Sequence, residues 1–162
     1  MKTFFRSQLI ALTLLTGSAM TQAMPVEMSF DDIGHPEVNH YLRQTFGTFF
    51  NNPEAMESEL SDDFVQVFGG KINSRADFLA HVSVLQQSLT GAKIRFEDVS
   101  IDKDGVISEI HTIALNKKDG SEAVLRFLAF YYFKDGKLSK VDELSAVVQG
   151  SSEDRDLGSR IK

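Results

Sequence analysis

Three Asp-Gly pairs, Asp104-Gly105, Asp119-Gly120 and Asp135-Gly136, separate four β-rich runs, and no other feature of this 162-residue chain constrains its fold as strongly. The runs are 93–102, 106–117, 123–133 and 138–149, each dense in β-branched and aromatic residues. An Asp-Gly pair tolerates the positive φ angles that hairpin turns require, so three such turns between consecutive strands specify an antiparallel meander.

The chain before the meander has a different period. Val38, Tyr41, Leu42, Phe46, Phe49 and Phe50 recur at helical spacing and predict a first helix over 36–50. Asn52, Pro53 and Glu54 supply a cap, a first-turn proline and an acid near the positive helix end, so a short second helix is expected over 53–60. Phe64, Val65, Val67 and Phe68 form a strand, and Gly69-Gly70 turns it toward a brief second strand over 71–73. Ser74 with Asp77 three residues on caps a third helix whose buried stripe is Phe78, Val82, Leu85 and Leu89, ended by Gly91. Helices first and a long antiparallel sheet afterwards make an α+β layer fold, and a twisted sheet of that length curls around the helices to leave a pocket.

Residues 1–23 carry Lys2 and Arg6, an apolar run from Leu9 to Leu15, and small residues before two possible cuts, after Ala19 or after Ala23. That order is expected of a secretory signal peptide, and the run is too short for a membrane anchor. The protein is therefore expected to be periplasmic or secreted. An extended lead over 24–35 precedes one domain over 36–150, and a polar tail follows over 151–162.

The net charge is −6, and it grows more negative once the two basic residues of the signal are removed. Such a chain repels phosphate backbones and anionic lipid, so neither a nucleic acid nor a membrane surface is an expected partner. Cysteine is absent, which excludes disulfides, thiolate metal sites and a cysteine nucleophile. No spacing of histidines and acids suggests a zinc site. Asp102, Asp104 and Gly105 approach a calcium loop, but strands flank them where helices should, so a plain hairpin turn is expected. Gly69-Gly70 lacks a phosphate-loop signature. Neither a metal nor a cofactor is expected.

The order of elements, with Leu60-Ser-Asp-Asp-Phe64 entering the first strand of the domain, Phe133-Lys-Asp-Gly-Lys137 before the last and Val141-Asp-Glu-Leu-Ser145 within it, resembles the nuclear transport factor 2-like superfamily and its SnoaL-like polyketide cyclase group. The tail Asp154-Arg-Asp-Leu-Gly-Ser-Arg160 is similar to the tail of that group. The resemblance implies a cone-shaped, cystatin-like fold, three helices on a strongly curved and mainly antiparallel sheet, with a pocket against the sheet and usually a homodimer. It does not imply one activity, because the group includes isomerases, dehydratases, cyclases, epoxide hydrolases and proteins without catalysis. In the ketosteroid isomerases of the superfamily a carboxylate base falls at Phe68 and a protonated acid near Leu128, so that activity is not expected here. The same comparison turns Gln66, Phe68, Leu128, Phe130, Val141, Glu143 and Ser145 inward.

Glu143 is the leading candidate for chemistry, since a carboxylate among Phe68, Leu128 and Phe130 would be desolvated and suited to acid or base work. Two alternatives stand beside it: an ion pair with Arg126, or a strand phase that turns Asp142 inward instead. His111 and Glu109 are two residues apart on one strand and share a face, which makes either an acid-base pair or a solvent-facing pair, because alternation alone does not say which face is inward. Tyr41 offers a hydroxyl to the pocket or belongs to the core. The candidate set is thus Glu143 and His111 as catalytic residues, with Tyr41, Gln66, Phe68, Arg126, Leu128 and Phe130 for binding. His81 falls between core positions of the third helix and is assigned to the surface. The aromatic run 127–133 suggests a strand buried on both faces, one by core and one by a partner sheet. The function read from this is an exported protein with an internal pocket for a small, largely apolar molecule. The alternative is a non-catalytic binding or dimeric association module whose cavity is filled.

Overall fold

The computed structural model describes residues 23–162; the expected signal peptide, apart from Ala23, and the cut after Ala19 lie outside them. Seven strands form one sheet in the order β1-β4-β5-β6-β7-β2-β3, with three helices packed on one face. The class is α+β, mixed and mostly antiparallel.

The turn chemistry works as the sequence implies. The strands β4 (Leu89–Ile101), β5 (Ile107–Lys117), β6 (Glu122–Lys134) and β7 (Lys137–Gln149) pair consecutively and antiparallel. Asp135 and Gly136 both have positive φ, 53° and 77°, the twist that a two-residue hairpin loop needs. Asp102 Oδ1 accepts the backbone N–H groups of Asp104 and Val106, so this loop satisfies its own carboxylate as a hairpin turn.

Both expected helix caps are present. In α2 (Pro53–Glu59) the Asn52 side chain accepts from Ala55 N, and in α3 (Arg75–Ser88) Ser74 and Asp77 bond each other's backbone reciprocally. α1 (Pro36–Asn51) buries Val38, Leu42 and Phe50, and its Phe46 ring meets Phe96 of β4 edge-on at 5.2 Å. Across the sheet, β2 (Leu60–Phe68) turns antiparallel into β3 (Lys71–Ser74) and lies parallel to β7. Phe64 of β2 packs against Phe78 of α3 at 4.9 Å. Shifts of register in the β4–β5, β6–β7 and β2–β7 pairings mark irregular points of the kind that bend and twist a sheet.

Three elements differ from expectation. The lead is not merely extended: Val26, Met28 and Phe30 alternate with polar residues in β1 (Val26–Phe30), which pairs parallel to β4, and Phe30 stacks on Phe96 at 4.6 Å. Leu89 and Gly91 do not end α3 but open β4. The apolar Leu89 fits a helical stripe and a strand equally, and Gly91 sits where a Cβ would meet the Asn116 side chain at 3.3 Å. The tail is not a loose loop either. A 3₁₀ helix over Ser152–Asp156 buries Asp154, whose carboxylate bonds Lys117 Nζ and Ser151 N, and Leu157 behind it is 2% exposed.

Candidate functional site

The inner face of the meander determines the site. Along β5, residues 107, 109, 111, 113 and 115 are buried, which turns Glu109 and His111 inward, each 3% exposed. Along β6 the inward residues are Leu125, Phe127, Ala129 and Tyr131. Ala129 lies opposite Glu143 and Tyr131 opposite Val141, so Glu143 shares that face.

This phase corrects part of the sequence reading. Leu128 and Phe130 are 45% and 48% exposed on the outer face, and Arg126 lies beside them bonded to Glu97. None of the three reaches the cavity. The reason is visible in the strand: β6 is apolar on both faces, so alternation carries no contrast from which to choose one. Arg126 is also not the partner of Glu143, and Asp142 does not replace Glu143 inside. The inward neighbours of Leu128, Phe127 and Ala129, carry no acid either. Tyr41 packs edge-on against Phe133 at 5.3 Å and lines a separate surface hollow rather than the cavity. Burial pushes its phenol up to about 12, with Glu59 adding to the rise against a bond to Thr45 that lowers it.

Gln66 is inward and 1% exposed, and it organises one end of the site. Its Nε2 donates to Glu143 Oε1 at 2.6 Å and to the Gly158 carbonyl at 2.9 Å, while its Oε1 accepts from Asn73 Nδ2 at 3.0 Å. Phe68 faces the same way but meets the tail instead of the cavity: a Cβ on Gly158 would lie 2.2 Å from its ring and 2.9 Å from that of Phe127. Only glycine lets the tail pass there.

The other end is built around Glu109. Its carboxylate accepts the Tyr131 hydroxyl at 2.9 Å and His111 Nδ1 at 2.9 Å. Burial, reinforced by the neighbouring Glu109 and Glu143, drives the Tyr131 phenol well above its ordinary value, so it remains a donor. Because Nδ1 of His111 faces a carboxylate it carries a ring proton, which leaves Nε2 as the ring nitrogen free to meet the cavity. The imidazole is held flat on Phe127, 4.8 Å away and 7° from parallel, with Phe46 edge-on at 5.2 Å.

Between these ends lies a cavity of about 80 Å³, counted as room for the centres of water-sized molecules. Its walls are largely aromatic and aliphatic, from Phe49, Phe78, Leu85, Ile113 and Leu138 among others. Glu143, His111 and His81 bring polar atoms to it, and Leu157 and Gly158 of the tail close it. The Glu143 carboxyl is pushed up to about 7. Burial is the main cause; the Gln66 bond and nearby His111 pull it back, and Glu109 and Asp142 push it further. A carboxyl poised near neutrality beside an oriented imidazole can pass a proton in either direction. Among the described residues no group of three or more acids and histidines converges as a metal site would.

His81 and the tail are the parts of the site that sequence reasoning does not find. His81 is 2% exposed, its Nδ1 donates to the Arg160 carbonyl at 2.9 Å, and burial lowers its pKa to about 4. Its position one residue before Val82 on the buried stripe was the available signal.

The SnoaL-like domain model matches residues 38–141, which run from the first turn of α1 into β7 and hold Gln66, Glu109 and His111. The chain belongs to this family. SnoaL-like sequences thus account for the helices and most of the sheet, while Glu143 and the closing tail lie just beyond the matched span. An uncharacterized protein of Schizosaccharomyces pombe is 29% identical over 122 residues, which cover 74% of this chain and 93% of that protein. Among solved structures, a nuclear transport factor 2-like protein of Exiguobacterium sp. 255-15 superposes with a TM-score of 0.55 at 16% identity, covering 65% of this chain and 97% of that one. AclR of Streptomyces galilaeus gives 0.61 at 12% identity, covering 77% and 87%. An LEH-like epoxide hydrolase of M. tuberculosis gives 0.56 at 13% identity, covering 68% and 84%. At these identities the likeness is one of fold, and the fold shared by this SnoaL-like chain is the nuclear transport factor 2-like one.

Proposed function

We propose that the cavity binds a small, largely apolar molecule and that His111 and Glu143 exchange a proton with it, with Glu109 as the residue that positions His111. One observation carries this reading: a carboxyl and an imidazole converge on an apolar hollow with no Lys or Arg side chain in its lining. A core evolved only for packing would fill that space with side chains, since unpaired buried polar groups cost stability without a compensating contact. The M. tuberculosis neighbour described as an LEH-like epoxide hydrolase is consistent with acid-base work on such a fold, and the signal-like N-terminal sequence supports a site of action outside the cytoplasm. The second reading, an association module without turnover, draws on the closure of the cavity by Leu157 and Gly158.

Native mass spectrometry of the protein isolated from its own organism separates the two. A small noncovalent adduct, lost in both Glu143→Gln and His111→Ala, is the expected result. A chain without adduct, or one whose adduct survives both changes, removes the binding reading.

The outer face of the sheet supports a second copy. Leu128, Phe130, Leu144 and Val148 stand 45%, 48%, 58% and 62% exposed on adjacent strands, and an apolar face of this kind marks an association surface. Sedimentation equilibrium is expected to give a dimer that Leu128→Lys converts to monomer; a monomeric parent chain refutes it.

A further inference from the structure

Once Glu143 is ionised, the polar side-chain hydrogens that reach the cavity go to acceptors within the protein. Both hydrogens of Gln66 Nε2 go to Glu143 Oε1 and the Gly158 carbonyl. The Tyr131 hydroxyl and the Nδ1–H of His111 both go to Glu109. The Nδ1–H of His81 goes to the Arg160 carbonyl, and the Thr45 hydroxyl has the Tyr41 oxygen and Glu59 Oε2 as its acceptors. What remains toward the hollow is Nε2 of His111, Nε2 of His81 and Oε2 of Glu143, none with a hydrogen-bonding partner among the described residues. Nε2 of His81 and Oε2 of ionised Glu143 offer lone pairs, as does Nε2 of His111 in the tautomer with its proton on Nδ1.

From this accounting we infer that the cavity selects a compact apolar ring bearing hydroxyl donors, and discriminates against ethers and carboxylates of the same shape. The inference rests on the binding reading above and specifies its ligand class. An ether oxygen or a carboxylate would meet a lone pair with a lone pair, and the carboxylate would also approach Glu109 and Glu143. A hydroxyl closes the bond that each acceptor lacks. An ammonium would supply hydrogens too, but it would leave its water shell for a wall of phenylalanine and leucine. His81 is fixed as an acceptor by its neutral ring, because its far nitrogen already holds the proton that the Arg160 carbonyl requires.

Calorimetric titration of the full chain with toluene, anisole, phenol, benzoate and benzylamine at about pH 8, where Glu143 is mostly ionised, reads the selection directly. Phenol is expected to bind about fivefold or more tightly than anisole, the worth of one hydrogen bond gained in a dry site. In Glu143→Gln the amide oxygen keeps the Gln66 bond and turns an N–H₂ donor inward, so the phenol-to-anisole ratio is expected to fall toward one. Equal or tighter binding of anisole, benzoate or benzylamine by the parent chain overturns the inference, and the parent ratio decides even where the variant fails to fold. If toluene and anisole bind and phenol has no advantage, only the ligand class falls. If none of the five binds, the binding reading falls with it.

Discussion

Two carboxylates on opposite faces of the same sheet have nearly the same donors and opposite circumstances. On the outer face Glu97 accepts the Thr112 hydroxyl and the Nε and Nη2 of Arg126, with its side chain 24% exposed. On the inner face Glu109 accepts the Tyr131 hydroxyl and the His111 ring N–H, with its side chain fully buried. The outer site has a permanent cation and water to screen it. Its arginine, followed by the Thr112 bond, holds the Glu97 carboxyl below the usual range. The inner site has only a phenol hydroxyl and an imidazole N–H, with no arginine or lysine beside it. Charge placed there is costly, and the nearby Glu143 shows it by holding its proton up to about 7. The difference teaches that the outer pair holds strands together in solvent, whereas the inner group keeps titratable groups close to the point of transfer.

Truncating both carboxylates alike breaks the comparison if it is wrong. Glu109→Ala strands a buried phenol and a buried ring N–H, and is expected to cost roughly 3 to 5 kcal/mol in urea unfolding. A cost near that of an exposed residue would mean that water already reaches Tyr131 and His111.

Glu143→Gln sharpens the same contrast through pH. A carboxyl whose folded value lies near 7 and whose unfolded value is near 4.5 holds more protons folded than unfolded between those limits, so its ionisation removes stability as pH rises through that window. The glutamine has no such charge. The stability of the variant relative to the parent is therefore expected to climb by about 3 kcal/mol from pH 4.5 to above 7, the whole of the shift expressed as free energy. His81, with its value lowered to about 4 by burial, works in the other direction: folding excludes its proton, and stability falls as pH drops from 6.5 toward 4. In the parent chain these two slopes oppose one another between pH 4.5 and 6.5, and in Glu143→Gln the His81 slope is no longer opposed by residue 143. A difference between variant and parent that does not change with pH would put Glu143 in contact with solvent.

The outer and inner faces also divide what the sequence discloses. Turn residues and caps act locally, so Asp135-Gly136, Asn52 and the Ser74-Asp77 box are readable from a few neighbours. Glu143 and Gln66 are placed inward by the family resemblance alone, since a polar residue beside Val65 and Val67 or beside Leu144 is turned outward by simple alternation. β6 conceals its phase, for Arg126, Leu128 and Phe130 alternate with Leu125, Phe127 and Ala129, and both sets are mostly apolar. The polar tail is concealed for another reason. Asp154 and Gly158 are buried through bonds to Lys117 and Gln66, 37 and 92 residues away, and no local pattern encodes such a distance.

The smallest effect belongs to the outer pair, and its salt dependence matters more than its size. Arg126 is nearly half exposed, so the Coulomb energy it shares with Glu97 is gained in a medium of high dielectric and is offset by the ordering of a long side chain. Glu97→Ala is expected to cost less than about 1 kcal/mol at low salt, and most of that should vanish toward 1 M NaCl as the screening length falls to about 3 Å. Glu109→Ala should show no such fading, because the Glu109 side chain is fully buried and its bonds to Tyr131 and His111 are shielded from salt. Equal salt sensitivity in the two variants would place both carboxylates in the same solvent, and the distinction between a structural face and a chemical face would go.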